Sequence, residues 1–193
     1  MQKRFSVKDP FLYLVMGCMK AEKSTEGVRM VRKFSRYVPC VIVNSAVDTR
    51  HDNDIIQTHS GDQMQCIKVL KLEELEARKD FQEAQLVVLD EAQFFPDLVS
   101  HVLKFCLEKS YVVCSLDSDY KQQKFGQVWK LIPYADRIVK KTALCELCAD
   151  GTEAVCTIRT EPPSTHIHNK ISIDSVGGSK YMSVCRKHAI ENQ

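Results

Sequence analysis

The strongest constraint on this chain's fold is the alternation, over its first three quarters, of short apolar runs with amphipathic stretches. Five runs rich in β-branched residues, at 11–17, 40–46, 67–70, 86–91 and 111–118, are each short enough for a single strand. They are nearly continuous in apolar character, the pattern of strands buried on both faces. Between them lie helix-like stretches: 24–37, with Val28, Val31 and Phe34 at three-residue spacing among Arg and Lys; the Glu-rich 72–81; and 96–107, with Pro96 read as its first helical position. Strands alternating with helices predict βαβ units. The fold class is therefore α/β, a mainly parallel sheet flanked by helices, with functional residues at the carboxyl ends of the strands.

Beyond 137–144 the pattern gives way to short strands and turns punctuated by Gly151, Pro162, Pro163, Gly177 and Gly178. The 193 residues thus divide into an α/β domain, 1–144, and a small, separately stabilised appendage, 145–193. The +2 formal charge offers no basic face for nucleic acid or a membrane surface, and neither is expected as a partner. No apolar run reaches the ~18 residues that span a bilayer, and residues 1–10 lack the apolar core of a secretory signal, so a cytoplasmic location is expected. Nine cysteines is an odd number, and Cys18, Cys40, Cys66, Cys106 and Cys114 sit in or beside apolar runs, as buried free thiols do.

Three motifs carry chemistry. GCMKAEKST, residues 17–25, joins the first strand to the first helix and is close to the phosphate-binding pattern G-x-x-x-x-G-K-[ST]. In that pattern backbone N–H groups cradle phosphate, the lysine reaches the β- and γ-phosphates, and the following hydroxyl binds Mg²⁺. Gly17, Lys23 and Ser24 fit these roles. Glu22 stands where the pattern has its second glycine, so strain and like-charge repulsion are both expected to oppose a nucleotide there, unless the side chain turns outward to help hold the metal. The second motif, LVVLDEAQFF at 86–95, is a buried strand ending in acids. Asp90 is the candidate Mg²⁺ partner and Glu91 the candidate base for an attacking hydroxyl.

The third motif is a pair of soft-ligand half-sites, Cys145-x-x-Cys148 and Cys185-x-x-His188, both in the appendage. Four ligands of this type make a closed structural zinc site. Cys156, His166 and His168 fall outside the scheme, the cysteine as a packed residue and the histidines as loop residues. A zinc-ribbon nucleic-acid module would use such pairs too, but the missing basic stripe argues against it.

Taken in order, these segments resemble the type II thymidine kinases, the cytosolic and viral class. GCMKAEKST corresponds to the phosphate loop, DTR at 48–50 and THSG at 58–61 to the segments after it, and DEAQFF at 90–95 to D-E-x-Q-F-F. LDSDYKQQKFG at 116–126, KKTALCELC at 140–148 and VGGSKYMSVCRKH at 176–188 follow in the family's order. The resemblance implies a phosphate-loop domain with a zinc-held lasso domain, and transfer of the ATP γ-phosphate to the 5′-hydroxyl of thymidine. By it, Lys23, Ser24 and Thr25 would hold triphosphate and metal with Asp90, and Glu91 would be the base. Phe94, Leu116, Tyr120, Phe125, Thr142 and Tyr181 would line the nucleoside pocket, and Arg50 would lie beside the site. It also implies a homo-oligomer, commonly a tetramer.

The chain departs from the family pattern at Cys18, Lys20, Glu22, Ser118 and Lys124, and is one residue short between Gly178 and Tyr181. These departures keep a second reading open: a homologue of the same fold that is catalytically weak or inactive and serves as a binding or assembly subunit.

Overall fold

The computed structural model describes residues 6, 9–48, 54–57, 61–160 and 180–192. In chain order the elements are β1 (Leu12–Gly17), α1 (Lys23–Phe34), β2 (Cys40–Ser45), β3 (Ile55–Gln57), β4 (Gln63–Gln65), β5 (Ile67–Val69), α2 (Lys79–Glu83), β6 (Leu86–Leu89), α3 (Leu98–Phe105), β7 (Ser110–Leu116), β8 (Arg137–Lys141), β9 (Ala143–Leu144), β10 (Glu153–Ala154), β11 (Cys156–Arg159), β12 (Tyr181–Val184) and α4 (Arg186–Glu191). Six strands form one parallel sheet in the order β5-β2-β6-β7-β1-β8. All five runs expected from the sequence are among them.

The side-chain period of two sorts each strand between two cores. On β1, Leu12, Leu14 and Met16 join the face that packs α2 and α3, with Phe81, Leu98 and Val102. Tyr13 and Val15 join the opposite face, with Val28, Val31 and Phe34 of α1. Leu14 is 0% exposed, so truncation to alanine should cost about 2–5 kcal/mol. Helix α1 approaches the sheet closely at Gly27, where a Cβ would lie 2.9 Å from Val88 Cγ1. That leaves α1 over β7 and β6, with its N-terminus at the carboxyl end of β1.

Two helix expectations are corrected. The 72–81 stretch is broken: a single 3-10 turn, Leu72–Leu75, precedes α2, because Arg78 is extended between them. Pro96 is outside α3, which begins at Leu98 after Asp97. The Asp97 carboxylate accepts from the Leu72 and Glu73 amides at 3.1 and 2.9 Å, capping the neighbouring turn instead of its own helix.

After β8 the chain builds two small antiparallel pairs, β9 with β10 and β11 with β12. Their own small core gathers Ala143, Cys145, Ala154, Ile158, Val184 and Ala189, and takes in Cys18 and Ala21 from the loop after β1.

Candidate active site

Connections from β1 and β7 run in opposite directions across the sheet, one to β2 and the other to β8. This places the segments after β1, β6 and β7 around one crevice at the strands' carboxyl ends. Gly17 ends β1 against Lys141 of β8, whose carbonyl oxygen would be 2.3 Å from a Cβ at that position. The chain then turns through Lys20 and Glu22, both left-handed at φ 60° and 53°. Glu22 precedes α1 with no side-chain cap bond. Its side chain is exposed, while its carbonyl accepts from the Glu26 amide at 3.2 Å and from Lys141 Nζ at 3.3 Å. The costly backbone expected for a side chain at this glycine position is what the structure has.

Lys23 Nζ donates to the Cys18 carbonyl at 2.6 Å, which lays the ammonium across the loop. Ser24 Oγ lies 3.1 and 2.9 Å from the two carboxylate oxygens of Asp90, which is 3% exposed. A hydroxyl and a carboxylate in contact form a hard oxygen donor pair suited to Mg²⁺. Thr25 follows, half-buried in the first turn of α1. Lower in that helix, Glu26 is tied to Arg29 at 2.7 Å and to the Tyr13 hydroxyl at 3.1 Å. The Arg29 bonds hold Glu26 below the usual carboxylate value, while burial and then Glu26 push Tyr13 up to about 12. Burial raises the thiols of Cys18 and Cys114, so neither is a nucleophile at neutral pH.

Glu91 is left-handed at φ 47° and directly follows Asp90. Gln93 Nε2 donates to Glu91 Oε2 at 2.5 Å, and Gln93 Oε1 accepts from the Ser115 hydroxyl and the Leu116 amide, each at 3.1 Å. Gln93, 4% exposed, therefore fixes Glu91 to the end of β7. Gly126, at φ +63°, allows the following loop to close on Gln93, whose carbonyl oxygen would be 2.3 Å from a Cβ there. Nothing in the residue pattern singles out Gln93 as the support; the sequence shows only that it lies within the DEAQFF motif.

Two aromatic pairs flank this carboxylate end. Phe94 and Phe125 meet edge to face at 5.5 Å, and Tyr120 and Tyr181 lie 6.1 Å apart. Arg159 of β11 covers both tyrosine rings at 5.7 and 5.9 Å, a contribution that no motif announces. Leu116 ends β7, with its amide on Gln93. Thr142 joins neither ring pair; its hydroxyl donates to Glu153 at 3.0 Å. Asp48 is buried and accepts from Asn44 Nδ2 at 3.1 Å, whereas Arg50, Thr58, His59 and Ser60 of THSG, Gly177 and Gly178 lie outside the described residues.

The four soft ligands come together. The ligand atoms of Cys145, Cys148, Cys185 and His188 all lie within 4.8 Å of one another. His188 Nδ1 is 3.4, 3.5 and 3.5 Å from the three sulfurs, and Cys148 Sγ is 3.8 Å from Cys185 Sγ. Tetrahedral zinc with bonds near 2.3 Å to sulfur and 2.0–2.1 Å to nitrogen requires edges of about 3.8 Å between sulfurs and about 3.6 Å from sulfur to nitrogen. The quartet is thus the right size for zinc.

The thymidine kinase family model matches residues 10–189. A rice thymidine kinase is 35% identical over 193 residues, covering 94% of this chain and 67% of the relative. A myxoma virus (strain Uriarra) thymidine kinase is 32% identical over 180 residues, covering 91% and 94%. The cytosolic thymidine kinase of cattle is 32% identical over 182 residues, covering 91% and 70%.

Proposed function

The chain belongs to the thymidine kinase family, and we propose that it transfers the γ-phosphoryl group of ATP to the 5′-hydroxyl of thymidine. The observation that carries this reading is the pairing of Ser24 with Asp90 beside a Glu91 held by Gln93, all at the carboxyl ends of β1 and β6. The loop amides, the N-terminus of α1 and Lys23 bind the triphosphate. Ser24, Thr25 and Asp90 are the residues that would hold Mg²⁺, which when bound neutralises charge on the transferring phosphate. Glu91 takes the proton of the 5′-hydroxyl as that oxygen bonds the γ-phosphorus. The bond from the γ-phosphorus to its bridging oxygen breaks, and ADP leaves.

Phe94, Phe125, Tyr120, Tyr181 and Leu116 supply apolar walls for the base, with Thr142 and Arg50 as further members of the site. On this reading 1–144 is the nucleotide-binding domain and 145–193 a lasso domain, in which Cys145, Cys148, Cys185 and His188 are the residues that would hold a structural zinc. Among the described residues no helix is long and apolar enough to cross a membrane, and the cattle relative is a cytosolic protein; a cytoplasmic setting follows as part of the proposal. So does homo-oligomer formation, supported by the position of β8 at the sheet edge, where Ile138 is 44% exposed.

The test is Glu91→Gln, which keeps size and removes the acceptor. Turnover should fall by roughly 10²–10⁴ with thymidine affinity nearly unchanged. An equal loss of binding and rate would assign Glu91 to structure instead.

A further inference from the structure

The phosphate loop is not self-supporting. Met19 donates its amide to Thr157 Oγ1 at 3.0 Å, and its carbonyl accepts the Ser183 hydroxyl at 2.7 Å. Cys18 Sγ donates to the Ala154 carbonyl at 3.4 Å. Lys20 Nζ lies 2.7 Å from Glu146 Oε2, and the other oxygen of that carboxylate accepts the Ser183 amide at 2.7 Å. The Glu146 amide in turn donates to the Ser183 carbonyl at 3.0 Å. Three successive loop residues are thus fastened to β10, β11, β12 and the turn that carries Cys145 and Cys148. Lys20 also holds a left-handed backbone, which a side-chain-bearing residue keeps only where its surroundings impose it.

We propose that Glu146 is a positioning residue for the phosphate loop: its carboxylate joins the Lys20 ammonium to the Ser183 amide and so fixes the loop in its nucleotide-binding shape from the Cys/His module. This rests on the kinase reading of residues 17–25. Glu146 touches no substrate; it acts through Lys20. The link is an ion pair whose partners are each 33% exposed, so its effect is modest, and salt weakens it. With Lys20 engaged by Glu146, Lys23 is the lysine left to the triphosphate.

The experiment compares wild type, Lys20→Gln, Glu146→Gln, Glu146→Ala and the Lys20→Gln/Glu146→Gln double variant, each checked for zinc content. Amide exchange is followed at residues 18–22, and KM is measured separately for ATP and thymidine. Glu146→Ala should speed exchange in the loop by at least about fivefold and raise the ATP KM by about three- to tenfold, with the thymidine KM within about twofold of wild type. Glu146→Gln, which keeps an acceptor for the Ser183 amide, should fall between. The double variant should be no worse than the worse single one, because both remove the same pair. Unchanged loop exchange, additive effects, or loss of zinc with faster exchange throughout 145–160 would overturn the proposal, the last making Glu146 a structural member of the module. A folded wild type that binds no ATP would overturn the kinase reading itself and this role with it; an ATP-binding wild type whose variants behave identically would overturn only the role of Glu146.

Discussion

Replacing Glu22 by glycine separates two contributions that the structure sets side by side. The first is conformational. At φ 53° and ψ 34° Glu22 sits in the left-handed region, unfavourable for a residue with a Cβ by roughly 1–2 kcal/mol, while glycine adds about 0.5–1 kcal/mol of unfolded-state entropy. The net gain is about 0.5–1 kcal/mol, a rise in Tm of roughly 1–4 °C for a chain of this size. The second is electrostatic. Because the side chain is exposed, the dielectric facing its carboxylate is closer to water than to protein, and its repulsion of a phosphate ~4 Å away is about 1 kcal/mol, not the ~4 kcal/mol of a half-buried pair. Removing it should tighten Mg-ATP binding about fivefold. Glu22→Gln removes the charge but keeps the Cβ, so it should share the gain in affinity and show none of the gain in Tm. Calorimetric titration with Mg-ATP and a thermal melt on wild type and both variants read the two effects independently. A Glu22→Gly protein that melts no higher than wild type would refute the strain argument; one that binds ATP no tighter would refute the charge argument.

Metal analysis of freshly purified protein should find one zinc per chain, and chelation or Cys148→Ser should loosen residues 145–160 and 180–192 before the parallel sheet; well under one zinc refutes this. Gln93→Leu frees Glu91 from the end of β7, so kcat should fall at least about tenfold and the pH profile should shift while the ATP KM holds; an unaltered kcat would deny Gln93 its supporting role. His101 is 3% exposed among Phe81, Phe105 and Tyr111, its Nδ1 unbonded among the described residues, and burial lowers its pKa, with Asp97 and Glu76 acting the other way. A lowered histidine pKa favours the neutral form in the fold, so its contribution is full above the ordinary value near 6.5 and declines as pH falls below it. His101→Phe should therefore flatten the loss of Tm between about pH 7 and pH 5; an unchanged slope would rule His101 out as its source.

The parts of this fold that could be read in advance are those fixed by local pattern. Runs such as 86–89 and 111–114 are apolar throughout because β6 and β7 are covered on both faces, and that alone marks them as interior parallel strands. The spacing of Cys145, Cys148, Cys185 and His188 was equally legible, since few other chemistries need soft ligands three residues apart in two pairs. What escaped was decided by long-range contacts. Asp97 caps the 72–75 turn from 24 and 25 positions away, and Lys20 finds Glu146 across 126 positions. Gln93 is a fixed letter of D-E-x-Q-F-F, but its supporting role is not legible there, because its partners, Glu91 on one side and Ser115 and the Leu116 amide on the other, come from different strand ends. β8, the sixth strand, alternates between half-buried and exposed residues as an edge strand does, and its run is too polar to stand out.

Phosphoryl transfer itself is tested by incubating purified, zinc-loaded protein with thymidine and Mg-ATP labelled at the γ-phosphate, and following label into thymidine 5′-phosphate. Transfer should depend on both substrates and fall by roughly 10²–10⁴ in Glu91→Gln. A folded protein with its full zinc that moves no label to thymidine above background would contradict the proposed activity.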